Sequence, residues 1–385
     1  MASPQTEYGF RQSDRRRFHY HGEALREVES LNVELREKHQ IEFAVSGHLW
    51  HEIKVPHSCA EFHPGWNNSR AISLENWMDG VKQNFYPRIG RIIPPGFGLP
   101  GSDNGALINP DQARRELAIK MIAYSIEASE KIINEELGEG HVIYWTGPDG
   151  VRWQRIVGGD DVILSHDANP NLEEWKLIIS GIAEAVKTAR SRGATQTNVL
   201  FEGKGAGDPC YLCVCTDTAL EIAAIKALNE SIGSDVVQWQ GEFCHTRGTG
   251  QTFASAMEQV IAAGVFGGRI HFNSGGLASQ SFTKMLRGEG SQMSRFQQYV
   301  DNDFLPGQGP REWLGDQIRS IEVGTRWSAE TGKPFEVEFD ARFCRYPNTI
   351  GALRNSAEWV ISQFAEAKKK LTIVPLSGRA KWFGH

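Results

Sequence analysis

From about residue 109 the chain repeats one rhythm of apolar and polar positions. A stretch with apolar residues three and four apart is followed by a short, nearly continuous apolar run, and then the pattern starts again. Residues 109–132 (NPDQARRELAIKMIAYSIEASEKI) predict an amphipathic helix with Pro110 in its first turn. Residues 171–193 predict another, stopped by Gly193, and residues 216–233, 250–268 and 349–370 predict three more. Between them, HVIYWTG (141–147), NVLFEGK (198–204), VVQWQGE (236–242), RIHFNSG (269–275) and FEVEFDA (335–341) predict buried strands. The region between His271 and about residue 333 reads as a longer helical and loop segment.

The first third is less regular. Residues 23–39 predict a charged surface helix, 41–47 and 52–58 short strands, and 73–86 a helix capped by Ser73. A strand at RII (91–93) leads into a Gly/Pro-rich loop. Strand and helix thus alternate about eight times, which favours parallel strands joined by right-handed crossovers. The expected fold class is α/β, a (β/α)8 TIM barrel with N- and C-terminal helical extensions. No low-complexity linker divides the chain. The expectation is one domain, with an extension over 1–40, the barrel over 41–348, and a C-terminal helix and tail over 349–385.

Composition narrows the classes of function. A chain of 385 residues with net charge -6 carries no basic footprint for nucleic acid. The N-terminus lacks an apolar signal core, and no stretch is apolar enough to span a bilayer, so a cytoplasmic protein is expected. Cys210, Cys213 and Cys215 form a tight group without the second pair or nearby histidines of a zinc site, and read as reduced thiols.

The chemistry-bearing residues gather at the ends of the predicted strands. Glu202, Glu242, His271 and Asp340 each close one, on four different units, and the C-terminal strand ends of such a barrel converge. Three carboxylates and one imidazole suit Mn²⁺, Mg²⁺ or Co²⁺, whose charge would relieve their mutual repulsion. His245, three residues after Glu242, together with Asp301 and Asp303, would hold a second ion that shares Glu242. Taken singly, a strand-end Glu is an ordinary helix cap, a D-x-D an ordinary turn, and a strand histidine an ordinary core residue. Their joint placement carries the inference.

With those motifs in view, residues from about 94 to 340 resemble the xylose isomerase and L-rhamnose isomerase group of metal-dependent sugar isomerases. Glu202-x-Lys204 followed by Asp208-Pro209 is similar to the group's E-x-K…E-P segment, shifted by one residue. GEFCH, YVDND and VEFDAR resemble its later ligand segments, and GGRIHFNS resembles the rhamnose isomerase strand with a histidine ligand. The stretch between His271 and Asp301 is longer than the group's pattern. The resemblance implies aldose–ketose interconversion of an open-chain monosaccharide by a hydride shift between C1 and C2, an intramolecular oxidoreduction with two divalent ions per subunit and no organic cofactor. It implies that Lys204 donates to O1, that a water held near Asp303 moves the proton between O1 and O2, and that His57 opens the sugar ring, with His48, His51 and His63 competing for that role. Trp145 would wall the sugar pocket. Trp50 and Phe97, read from their aromatic character, would stack on the sugar beside it.

Two alternatives stay open. One is a single-ion sugar epimerase or sugar-derivative lyase of related barrels, working by proton abstraction with Glu202, Glu242, His271 and Asp340. The other is a non-catalytic sugar-binding barrel. The charged N-terminal helix and the C-terminal tail exceed what a barrel needs, and the resemblance suggests a homotetramer or homodimer.

Overall fold

The computed structural model describes residues 21–39, 45–48, 53–54, 72–84, 89–94, 105–138, 140–146, 149, 155–157, 162–164, 172–203, 217–248, 250–277, 299–309, 311–338 and 349–373. These fall into two compact units. The first consists mainly of residues up to 238, and the second mainly of residues from 239 onward.

The first unit opens with α1 (His21–His39), β1 (Val45–His48), α2 (Leu74–Asn84), β2 (Ile89–Ile93), α3 (Gln112–Asn134) and β3 (His141–Trp145). A short pair, β4 (Arg155–Val157) and β5 (Val162–Leu164), follows, and then α4 (Leu172–Ser191), β6 (Asn198–Glu202), α5 (Thr218–Ile232) and β7 (Val237–Trp239). The main strands hydrogen-bond in the order β1-β2-β3-β6-β7. The pairings β1–β2, β2–β3 and β3–β6 are parallel. Ile92, Val142 and Val199 lie buried on this sheet, and α3 and α4 pack side by side.

Local signals place these helices. Ser73 Oγ accepts the Asn76 amide at 3.2 Å, the cap that the sequence predicts for α2. The α3 start differs from the expectation. Pro110 lies before the helix and not in its first turn, and Asp111 provides the cap, accepting the Ala113 amide at 2.9 Å. Gly193 ends α4 at φ 102°, a left-handed turn that suits a residue without Cβ. Glu130 of α3 is buried and accepts the Thr197 amide and hydroxyl, each at 3.0 Å, fastening the helix to the entry of β6.

The second unit contains α6 (Phe243–Gly248), α7 (Phe253–Ala262), β8 (Arg269–His271), β9 (Ser274–Leu277), β10 (Tyr299–Phe304), α8 (Arg311–Thr331), β11 (Glu336–Glu338) and α9 (Thr349–Ile373). Trp239 bridges Phe266, Glu242 bridges His271, and β8 pairs parallel with β11. Trp239, Phe243, Phe253 and Phe272 interlock in one aromatic cluster, with Phe243 and Phe253 at 5.4 Å and Phe243 and Phe272 at 5.3 Å. This cluster fixes which strand face meets the helices. Asp316 of α8 accepts the Phe253 amide at 2.8 Å and the Ala254 amide at 3.1 Å, capping α7 from a distance where Thr252 makes no side-chain cap.

Two hairpins depart from the expectation. Besides β4–β5, the stretch read as helix and loop after His271 holds an antiparallel pair, β9–β10, ahead of the expected helix, α8. The VDND segment therefore lies on a strand.

Candidate functional site

In the second unit the alternation of side chains sorts residues onto two faces. Trp239 packs on Phe253 at 5.7 Å, and Phe272 packs against Phe243, so these residues face the helices. Gln240, Glu242 and His271 alternate with them and project to the other face. Gly241 permits this geometry, because a Cβ there would fall 1.9 Å from the Trp239 indole. His271 is the register partner of Glu338 and is bridged to Glu242, so the three form one row across adjacent parallel strands. The row beneath supports the assignment, with Arg269 and its register partner Glu336 meeting at 3.0 Å.

Glu242 is 1% exposed and His245 is 5% exposed. Glu242 Oε2 accepts the His245 amide, so this carboxylate caps the short helix α6 and brings His245 Nδ1 to 3.4 Å. E-x-x-H thus has both of its readings at once, a helix cap and an adjacent carboxylate–imidazole pair.

Glu202 ends β6 in the first unit and is 4% exposed. It is the register partner of Trp145 on β3, so indole and carboxylate share a face. Tyr144 and Phe201 stack on the opposite face at 5.7 Å. Beyond β3, the buried Asp149 accepts the Ala106 amide at 2.9 Å, the Ile108 amide at 3.0 Å and the Tyr144 hydroxyl at 2.6 Å. Burial pushes its carboxyl above the ordinary value of 3.8, against the pull of those bonds.

The structure thus sets Glu242 beside His245 and in register with His271, and sets Trp145 in register with Glu202. Asp301 and Asp303 lie on β10, in the register shift between the paired Val300–Gly276 and Phe304–Ser274, on the strand beside β9. Lys204, His57, Asp340, Trp50 and Phe97 lie outside the described residues. Asp149, Gln240 and Glu338 were missed. The first follows Gly147-Pro148 in the sequence, and the other two need a register that no local pattern reveals.

Buried carboxylates and imidazoles at strand ends are hard oxygen and nitrogen donors that fit a divalent cation. Among the described residues alone, no three such groups converge on one point. The aspartates assigned to complete the set lie beyond the described side chains.

No protein-family model matches the chain, and no curated protein matches it. Solved structures do. An L-ribulose 3-epimerase, 11% identical, aligns over 86% of this chain and 98% of its own with a TM-score of 0.50. A 3-keto-D-glucoside 4-epimerase from E. coli, 14% identical, aligns over 75% of this chain and 84% of its own at 0.45. A xylose isomerase-like TIM barrel protein from Mycobacterium smegmatis in complex with magnesium, 13% identical, aligns over 76% and 78% at 0.43. The likeness to the L-ribulose 3-epimerase is one of fold, that of an α/β TIM barrel.

Proposed function

We propose that the protein is a divalent-metal-dependent aldose–ketose isomerase acting on a monosaccharide. The observation that carries this reading is Glu242 beside His245 and in register with His271 on one unit, with the strand that bears Asp301 and Asp303 returned alongside β9. It favours the two-ion site over the single-ion alternative, because the longer stretch after His271 re-enters the fold as a strand pair. The likeness to L-ribulose 3-epimerase is one of fold, and a sugar substrate is in keeping with it.

In this proposal Glu202, Glu242, His271 and Asp340 hold one ion, and Glu242, His245, Asp301 and Asp303 hold the second. Mn²⁺, Mg²⁺ or Co²⁺, when bound, supplies Lewis acidity at the sugar carbonyl. The chain does the rest. Trp145 offers an apolar wall to one sugar face. Lys204 donates a hydrogen bond to O1 as negative charge develops there. Asp303 serves the proton transfer between O1 and O2 while hydrogen passes with its electron pair between C2 and C1. His57 serves ring opening. A single barrel domain, a cytoplasmic location and a homo-oligomer belong to the same proposal. Among the described residues, no helix is long and apolar enough to cross a membrane.

A screen of aldoses with added Mn²⁺, read by product chromatography, tests the activity, and a substrate deuterated at C2 tests the chemistry. Retention of label in the product, with turnover lost in the Asp301→Ala/Asp303→Ala double variant, is expected. Washout of label into water, with turnover kept in that variant, would instead establish proton abstraction by a single-ion epimerase. A protein that retains no divalent ion and turns over no sugar would be a binder.

A further inference from the structure

The row beneath Glu242 and His271 contains a polar residue that neither the ligand set nor the packing accounts for. Gln240 stands two residues before Glu242 on the same strand face and is 0% exposed. Its Nε2 lies 3.4 Å from Glu338 Oε2, and Glu338 is the register partner of His271. A carboxylate only accepts hydrogen bonds, so this neighbour fixes the orientation of the amide, with NH₂ toward Glu338 and Oε1 turned the other way. That oxygen has no hydrogen-bond partner among the described residues. A buried acceptor left dry is costly, and folded proteins satisfy nearly all of them with a protein group or an ordered water.

We propose that Gln240 is a binding residue whose Oε1 accepts a hydrogen bond from an O–H donor held beside Glu242 and His271. That donor is an ordered water or a hydroxyl of the sugar, and the second of these rests on the isomerase reading above. Glu338 acts as a positioning residue, holding the amide so that its acceptor faces the ligand. Arg269 and Glu336, which share the row of Gln240, meet one another at 3.0 Å.

The test is a pair of crystal structures of the full chain with Mn²⁺, one with the open-chain polyol xylitol and one without. An oxygen about 2.5–3.0 Å from Gln240 Oε1 is expected. Found in both crystals it is the ordered water, and found only with xylitol it is the sugar-type hydroxyl. No oxygen in either crystal, or an amide reversed onto a protein donor, overturns the proposal. Gln240→Met, similar in size and apolar, gives an independent check. It should weaken xylitol binding about tenfold by calorimetry if the guest is a sugar hydroxyl, or lower the melting temperature if the guest is water. A variant that binds as tightly as the natural protein and melts no lower overturns it equally. If the natural protein turns over no sugar, the isomerase reading falls, while the sugar-free crystal still decides whether Gln240 holds a water.

Discussion

Replacing Asp149 should reveal how firmly the turn before α3 is tied to the end of β3. The Asp149 carboxylate receives three hydrogen bonds, from the Ala106 and Ile108 amides and the Tyr144 hydroxyl, at 2.9, 3.0 and 2.6 Å. Asp149→Ala strands all three donors in a site where the aspartate is only 1% exposed. At about 1 kcal/mol per lost bond, with a further penalty for donors left buried, the loss is roughly 3–5 kcal/mol. A whole domain has only about 5–15 kcal/mol to lose. Asp149→Asn keeps an oxygen for both amides and an NH₂ for the tyrosine oxygen, so at low pH it should sit close to the natural protein.

The pH dependence separates the two forms further. Burial raises the Asp149 carboxyl in the fold above its ordinary value of 3.8, so the unfolded chain releases this proton first. From that value upward, until the folded group also ionises, the folded state binds more protons than the unfolded one. Stability therefore falls as pH rises through that window, by at most about 1.4 kcal/mol per pH unit. The asparagine variant has no such proton and should gain on the natural protein as pH rises. Urea denaturation of the three proteins from pH 4 to 7 is the assay. Parallel pH curves for the natural protein and the Asp149→Asn variant, or an alanine penalty below about 1 kcal/mol, would refute the reasoning.

Three further outcomes are expected. Asp316→Ala removes the side-chain cap on the first amides of α7 and the 3.4 Å ion pair with Arg247, and should cost about 2–3 kcal/mol in denaturant titration, with Asp316→Asn costing less. Gly241→Ala drives a methyl into the Trp239 ring and should cost about 1–3 kcal/mol and shift tryptophan fluorescence; an unchanged spectrum and stability would contradict the close approach described. His271→Ala should weaken Mn²⁺ binding in calorimetry by more than the roughly 10–100-fold attributed to outer-shell partners. Equal affinity would remove His271 from the ligand set.

Much of the fold was legible because its elements are local. The period of 109–132, the Ser73 cap and the Gly193 stop each act within a few residues, and each lies where the pattern puts it, apart from the start of α3 at Gln112, after Pro110. Glu242 and His245 were legible for the same reason, since i and i+3 on one short helix meet regardless of distant context. The β9–β10 pair was not, because its partners are separated by a long stretch of chain and GG, GL and YV carry no alternation to announce a strand. Gln240 and Glu338 escaped because their meeting depends on the register of strands far apart in the chain. Asp149 escaped because a turn aspartate usually serves its own neighbours, whereas this one reaches back to Ala106 and Ile108.

The chain departs from β9 at Leu277 and comes back into β10 at Tyr299, its direct cross-strand neighbour. Its two stems are therefore clasped at a fixed gap of about one strand spacing, roughly 4.8 Å, whatever is strung between them. Closing a longer excursion costs only about 0.6 kcal/mol for each doubling of its length. A change in the number of residues between Leu277 and Tyr299 is therefore cheap in chain entropy, and the row that carries His271 need not register it.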